Sequence, residues 1–240
     1  MSRPRPKPSP PQTYRTGACM ADPYLPEELP EDLINRAFVA AAHIHREDPR
    51  KGHAYPYLSH LMAVAALVWE HGGSDTQVAA ALLHDTAEDH GGQDMLDELR
   101  EHFSEEVVTI VEQCSDALPG EGEEKPPWMQ RKVRYLAAIP AKEPKTLLVS
   151  AADKLHNARL ILADYRQTRE QLWSQFNRGR EYQLWYYGEL AQALAEALPS
   201  PLTDELQRVV GEIHHLVADH IPGIGLEIAS VREEAKAIPA

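Results

Sequence analysis

Residues 31–47 read EDLINRAFVAAAHIHRE, with Leu33, Ile34, Ala37, Phe38, Ala41 and Ile44 recurring at three- and four-residue intervals. That spacing lays one apolar stripe along a helix and does not suit a strand. The same period continues through almost every later segment. Residues 59–71 form a second helix with Ser59 as its N-cap, stopped by Gly72-Gly73. Asp75 caps a third, which runs through VAAALLHD. Ser104 opens a helix over residues 106–113, and residues 129–139, 146–163, 178–198 and 203–220 complete the set. Residues 119–127 are a loop rich in Pro, Gly and Glu. Alternating Val and Ile of strand type is nearly absent, so the expected fold is all-α, a compact single-domain helical bundle.

Three parts follow from composition along the chain. Residues 1–23 begin MSRPRPKPSPPQTYRTGACM, Pro-rich and basic with little to bury, and read as a disordered leader. Residues 24–221 are the domain, and residues 222–240 are expected as a loose tail. At 240 residues the chain is long enough to bury a substantial core. A net charge of −13 argues against general nucleic-acid or membrane-surface binding, which needs clustered Lys and Arg. A local basic pocket for a small anionic ligand stays compatible with that charge. Two separated cysteines give neither a disulfide framework nor a thiolate metal site. No apolar run approaches transmembrane length, which points to a cytoplasmic address. Oligomeric state, including a homo-oligomer, is left open.

The chemistry concentrates in three blocks: KGHAYPYLSH at residues 51–60, LLHDTAED at 82–89, and LLVSAADKLHNARLIL at 147–162. An HD dipeptide alone carries little weight; its surroundings raise it. His84-Asp85 closes an apolar helix, and a continuing helix would stack His84 over Glu88 and Asp85 over Asp89. Like charges that close repel, and a helix C-terminus is the wrong end for anions. Burying them unpaired is costly, an objection a divalent ion removes. His60 starts an apolar helix able to face the His84 helix, and Asp153 lies among aliphatic residues where an acid needs a partner. Two imidazoles and two carboxylates make a mixed N/O set suited to Mn²⁺, Fe²⁺ or Zn²⁺. Such an ion would acidify a bound water and polarise a phosphoryl oxygen, with Glu88 and Asp89 placed for proton transfer.

His60, His84-Asp85 and Asp153 match the H…HD…D signature of the HD superfamily of metal phosphohydrolases. The wording PYLSH, AALLHDTAED and ADKLHNAR resembles the hydrolase domain of RelA/SpoT-type stringent-response enzymes and the stand-alone small alarmone hydrolases. The resemblance spans residues 32–198 and keeps the order of the blocks. It implies a bundle of HD-domain type in which His60, His84, Asp85 and Asp153 hold one Mn²⁺ while Glu88 and Asp89 assist the attacking water. The implied reaction removes pyrophosphate from the 3′ position of a guanosine 5′,3′-bisdiphosphate, a small nucleotide substrate. Arg50 and Lys51 correspond to the family's base-packing basic pair, and Asn157 to a nucleotide contact. Lys154 and Arg159 are expected on the surface or behind the ligands.

The chain also departs from that pattern. Leu61 follows His60 where the family usually has Pro, and His90 with Gly91-Gly92 replaces the Thr after the ED pair. Residues 114–131 differ from the family's Thr-Lys region, and the spacing from Arg50-Lys51 to Pro56 is one residue off. No synthetase portion fits this length. Two alternatives are therefore carried: an HD phosphohydrolase for another nucleotide (an adenosine alarmone, a dNTP or a pyrophosphorylated nucleic-acid end), or a catalytically silent nucleotide-binding regulatory domain. Residues 172–187, LWSQFNRGREYQLWYY, hold six of the 16 aromatics and read chiefly as core. The KPPW turn at residues 125–128 is a candidate lid.

Overall fold

The computed structural model describes residues 25–26, 28–120 and 123–239, so the expected leader lies outside the described residues. Among the described residues there is no strand, only an isolated bridge between Pro49 and Pro56. Eleven α-helices are present among them, and the expectation of an all-α bundle holds.

Five helices build the half that carries the site. α1 (Leu33–Ile44) is capped by Asp32, whose side chain accepts from the Asn35 N–H. α2 (Leu58–Glu70) starts after Tyr57, which makes no side-chain cap; Ser59 lies inside its first turn and is not the cap expected. α3 (Asp75–Leu83) is capped by Ser74 through a reciprocal box with Gln77, so the cap sits one residue before Asp75. Ala79, Ala80 and Ala81 are fully buried, and their small side chains let α1, α2 and α6 (Glu105–Cys114) approach α3 closely. α8 (Pro144–Thr168), the longest, crosses behind them and packs on α2, α3 and α6.

The helix that His84-Asp85 closes does not run on through HDTAED. α3 ends at Leu83, and a separate turn, α4 (Thr86–Asp89), follows His84 and Asp85. The local chemistry explains the break: His84 Nδ1 meets the Ala81 carbonyl at 2.7 Å and Thr86 Oγ1 donates to the Leu83 carbonyl at 2.7 Å. Side chains thereby take carbonyls that a continuing helix would need. α5 (Gln93–His102), absent from the sequence reading, buries only Met95, Leu96 and Leu99 among charged neighbours. It starts at Gly92, whose φ of +56° and approach to the Pro119 carbonyl leave no room for a Cβ.

The remaining helices close the bundle. α7 (Trp128–Ala138), α9 (Arg180–Ala197) and α10 (Pro201–His220) follow the expected segments, with α10 packed along α8 and α9. The expected loose tail is not loose. It contains α11 (Ile224–Lys236), which buries Ile224, Val231 and Ala235 against α9 and α7. Arg180 to Glu227 and Arg232 to Glu189 pin it, polar ties that a periodicity reading does not weigh.

Candidate metal centre and active site

His60 enters from the first turn of α2, His84 from the end of α3, Asp85 from the break before α4, and Asp153 from the middle of α8. The structure brings all four together. His60 Nε2 lies 3.2 Å from Asp153 Oδ1 and 3.6 Å from Asp85 Oδ2. His84 Nε2 lies 3.1 Å from Asp85 Oδ2 and 3.6 Å from Asp153 Oδ1. Both imidazoles are buried, and both Nε2 atoms lack a hydrogen-bond partner.

The tautomer of His84 follows from its neighbour. A backbone carbonyl only accepts, so Nδ1 carries a proton and Nε2 faces the two carboxylates. Burial opposes a second proton there, yet Asp85 and Asp153 raise the imidazole well above its usual range, and a bound cation would take the place of that proton. His60 Nδ1 is paired with His156 Nδ1 at 2.8 Å. Burial, then the neighbouring His60 and Arg50, push the His156 imidazole down to about 4, so it stays neutral and serves as the acceptor. This is the arrangement in which metal-binding histidines are held: one nitrogen fixed by an outer partner, the other aimed inward.

The carboxylates are tethered in turn. Tyr57 Oη donates to Asp85 Oδ2, Lys154 Nζ to Asp153 Oδ2 at 2.6 Å, and Asn157 Nδ2 to Asp153 Oδ1 at 2.5 Å. Burial opposes ionisation of Asp85 and Asp153, yet His84 at the first and Lys154 at the second hold both well below the usual carboxylate range. Both acids are therefore ionised at neutral pH. One ligand atom from each of His60, His84 and Asp85 lies within 4.8 Å of the other two, and Asp153 Oδ1 lies 3.2 and 3.6 Å from the two imidazoles. Two inward nitrogens and two ionised oxygens form a donor set that fits a divalent metal ion, and the orphaned Nε2 atoms are the groups such an ion would satisfy.

Glu88 and Asp89 stand beside this centre. Glu88 Oε2 accepts from the Asp116 N–H at 3.1 Å, with Lys125 and Arg131 within 4 Å of Oε1. Burial, then Asp116 and Asp85, raises the Glu88 carboxyl. Burial, then Asp85 and Glu88, lifts Asp89 to about 7. A cavity of about 170 Å³ connects Asp85, Glu88, Asp89 and Asp153 with Lys132 and Lys154.

A second cavity of about 270 Å³ adjoins it through Lys132, Lys154, Asn157 and Tyr186. Arg50, Lys51 and Asn157 all line it. Arg50 is 8% exposed, lies against the Tyr57 ring and donates to Asn157 Oδ1. Lys51 reaches over Phe176. The aromatic run divides its duties: Trp173 and Trp185 are buried in the core, whereas Phe176, Tyr186 and Tyr187 also face the cavity. The KPPW turn does reach the site, because Lys125 Nζ donates to the Glu88 carbonyl at 2.7 Å and Trp128 lines the larger cavity.

Sequence reasoning missed Tyr57, Lys132, His156 and the Asp116–Arg131 pair. Lys154 takes the second of its two expected places, behind the proposed ligands, half-buried against Asp153 and the Tyr135 ring. A lysine inside an aliphatic run beside an acid was the available signal. Arg159 is correctly placed on the surface, paired with Glu205.

A helical bundle converging two histidines and two aspartates on one buried point, beside two acids of raised pKa, has the construction of a metal-dependent hydrolase. The sequence pattern of the HD domain family matches residues 37–180, and the chain belongs to that family. It is 36% identical over 156 residues to the guanosine-3′,5′-bis(diphosphate) 3′-pyrophosphohydrolase MESH1 of Xenopus tropicalis, covering 64% of this chain and 80% of that protein. The Mus musculus protein of the same name is 35% identical, covering 60% and 75%. A probable GTP pyrophosphokinase of Mycobacterium leprae is 34% identical over 54% of this chain, which spans 16% of that longer protein. Among solved structures, lmo0812 from Listeria monocytogenes EGD-e superposes with a TM-score of 0.55 at 26% identity, covering 64% of this chain and 97% of that one. A metazoan ortholog of SpoT, described as hydrolysing ppGpp, gives 0.60 at 20% identity over 78% and 98%, a likeness of fold. No helix among the described residues is long and apolar enough to cross a membrane.

Proposed function

We propose that the protein is a metal-dependent hydrolase that removes pyrophosphate from the 3′ position of guanosine 3′,5′-bis(diphosphate). Water adds to the phosphorus joined to the 3′ oxygen, the P–O3′ bond breaks, and guanosine 5′-diphosphate and pyrophosphate leave. In this reading His60, His84, Asp85 and Asp153 hold one divalent ion, Mn²⁺ by the family resemblance. When bound, it supplies Lewis acidity at the phosphoryl group and lowers the pKa of water.

The observation that carries the reading is the pair of buried, unpartnered imidazole nitrogens facing two ionised carboxylates. The residues around it supply the rest. Asp89, whose carboxyl burial and then Asp85 and Glu88 raise, stands beside the centre to take a proton from water and return one to the 3′ oxygen. Glu88 shares that duty and is oriented by the Asp116 N–H. Lys132 and Lys154 face the smaller cavity and offset phosphate charge within a chain of net −13. Arg50, Lys51 and Asn157 take the nucleoside side in the adjoining cavity, where Arg and aromatic faces suit a purine.

A substrate panel tests this. Purified protein with Mn²⁺ is offered ppGpp, pppGpp, ppApp, dNTPs and a phosphodiester, and the products are resolved chromatographically. Pyrophosphate release from the guanosine 3′ position is expected. Preferential turnover of dNTPs or ppApp would move the assignment to another nucleotide.

A further inference from the structure

Behind the Asp89 turn lies a second group of nitrogen and oxygen donors that the proposed reaction does not use. His45 follows α1, Asp48 lies three residues on, and His90 follows α4. His45 Nδ1 lies 2.8 Å and His90 Nε2 2.7 Å from the same oxygen, Asp48 Oδ2. One donor atom from each residue lies within 4.8 Å of the other two. The two imidazoles meet edge-on, with ring centroids 4.9 Å apart.

We propose that His45, Asp48 and His90 form a second site for a divalent transition-metal cation. Three observations support it. The first is the donor set, two imidazoles and a carboxylate, which suits first-row divalent ions and has no thiolate to favour softer ones. The second is His45 itself: it is 1% exposed, and its Nδ1 converges with His90 Nε2 on one oxygen, Asp48 Oδ2, at 2.8 and 2.7 Å. The third is access. Asp48 and His90 are partly exposed and open onto a cavity of about 440 Å³ that also holds Arg50, Lys51, Tyr57 and Asp89. His45 is thus the buried anchor, while water or a phosphate oxygen from the cavity completes the shell.

Position gives the site a consequence. Asp48 lies in the loop that leads to Arg50, its carbonyl accepts the Tyr57 N–H at 2.8 Å, and His90 is the residue after Asp89. A cation there ties the loop of Arg50 to the turn of Glu88 and Asp89.

Metal counting decides it independently of the first centre. Protein is loaded with Co²⁺, freed of excess by gel filtration, and analysed by elemental mass spectrometry and visible absorption. Two equivalents are expected in the wild type and one in each of Asp85→Ala, His90→Ala and His90→Gln. None is expected in the Asp85→Ala/His90→Ala double variant. His90→Gln preserves a donor to Asp48, so its loss of metal cannot be ascribed to a missing hydrogen bond, and thermal melts confirm that each variant folds. One equivalent in the wild type, unchanged in both His90 variants, would show a hydrogen-bonded clamp and overturn the proposal. So would two equivalents in wild type and His90 variants alike. One equivalent kept in Asp85→Ala but lost in His90→Ala would uphold this site and remove the first.

Discussion

Asn157 Nδ2 stands 2.5 Å from Asp153 Oδ1, one helical turn further along α8, and its carbonyl oxygen accepts from Arg50. One amide thus joins the metal-facing acid to the basic residue of the larger cavity. Its two ends need a donor and an acceptor together, which Asp and Ala cannot supply. Asn157→Ala should therefore weaken metal binding by roughly 10–100-fold, the usual cost of losing an outer partner of a ligand. It should also raise KM as Arg50 loses its tether. Metal titration followed by steady-state kinetics at saturating metal separates the two effects.

Tyr57→Phe removes the hydroxyl that donates to Asp85 Oδ2 while keeping the ring beneath Arg50. We expect weaker metal binding of the same rough 10–100-fold order, with little change in KM at saturating metal. An unchanged metal affinity would show that this hydrogen bond does not orient Asp85.

Glu88→Gln keeps the side chain's shape and leaves the four proposed ligands in place. Bound metal should be unchanged by elemental analysis, and kcat should fall by roughly 10²–10⁴-fold. Full activity would remove Glu88 from the proton-transfer role.

Asp89 gives a stability prediction with a definite sign. Its native pKa is lifted from 3.8 to about 7, first by burial and then by Asp85 and Glu88. The native state therefore holds a proton that the unfolded chain releases, and this contribution to stability is lost as pH rises from about 4 to 7. In metal-free protein, Asp89→Asn should raise Tm at pH 8, by roughly 2–4 °C per kcal/mol of relieved penalty. The difference should shrink toward zero near pH 4. Thermal melts across that range check it; a variant no more stable at pH 8 would contradict the raised pKa.

The residues of the centre were legible because each breaks an apolar pattern: His60 opening α2, His84-Asp85 closing α3, Asp153 inside α8. A polar group in such a position needs a partner, and the family resemblance supplied the order of the blocks. The cause of the break at His84 and the separate turn α4 were not legible, since they depend on side chains capturing the Ala81 and Leu83 carbonyls. α5 and α11 escaped because their buried faces are narrow and their charged residues dominate the window. Tyr57, His156 and the Arg131–Asp116 pair act through contacts distant in sequence, which periodicity does not register.

The most direct test of the central claim follows one labelled phosphate. With ppGpp labelled in its 3′ diphosphate and Mn²⁺ present, the wild type should release label as pyrophosphate in equal amount to guanosine 5′-diphosphate. Asp85→Ala and Asp153→Ala should release none and retain no metal at the His60–His84 centre. Label appearing as orthophosphate, or undiminished release from Asp153→Ala, would contradict the account.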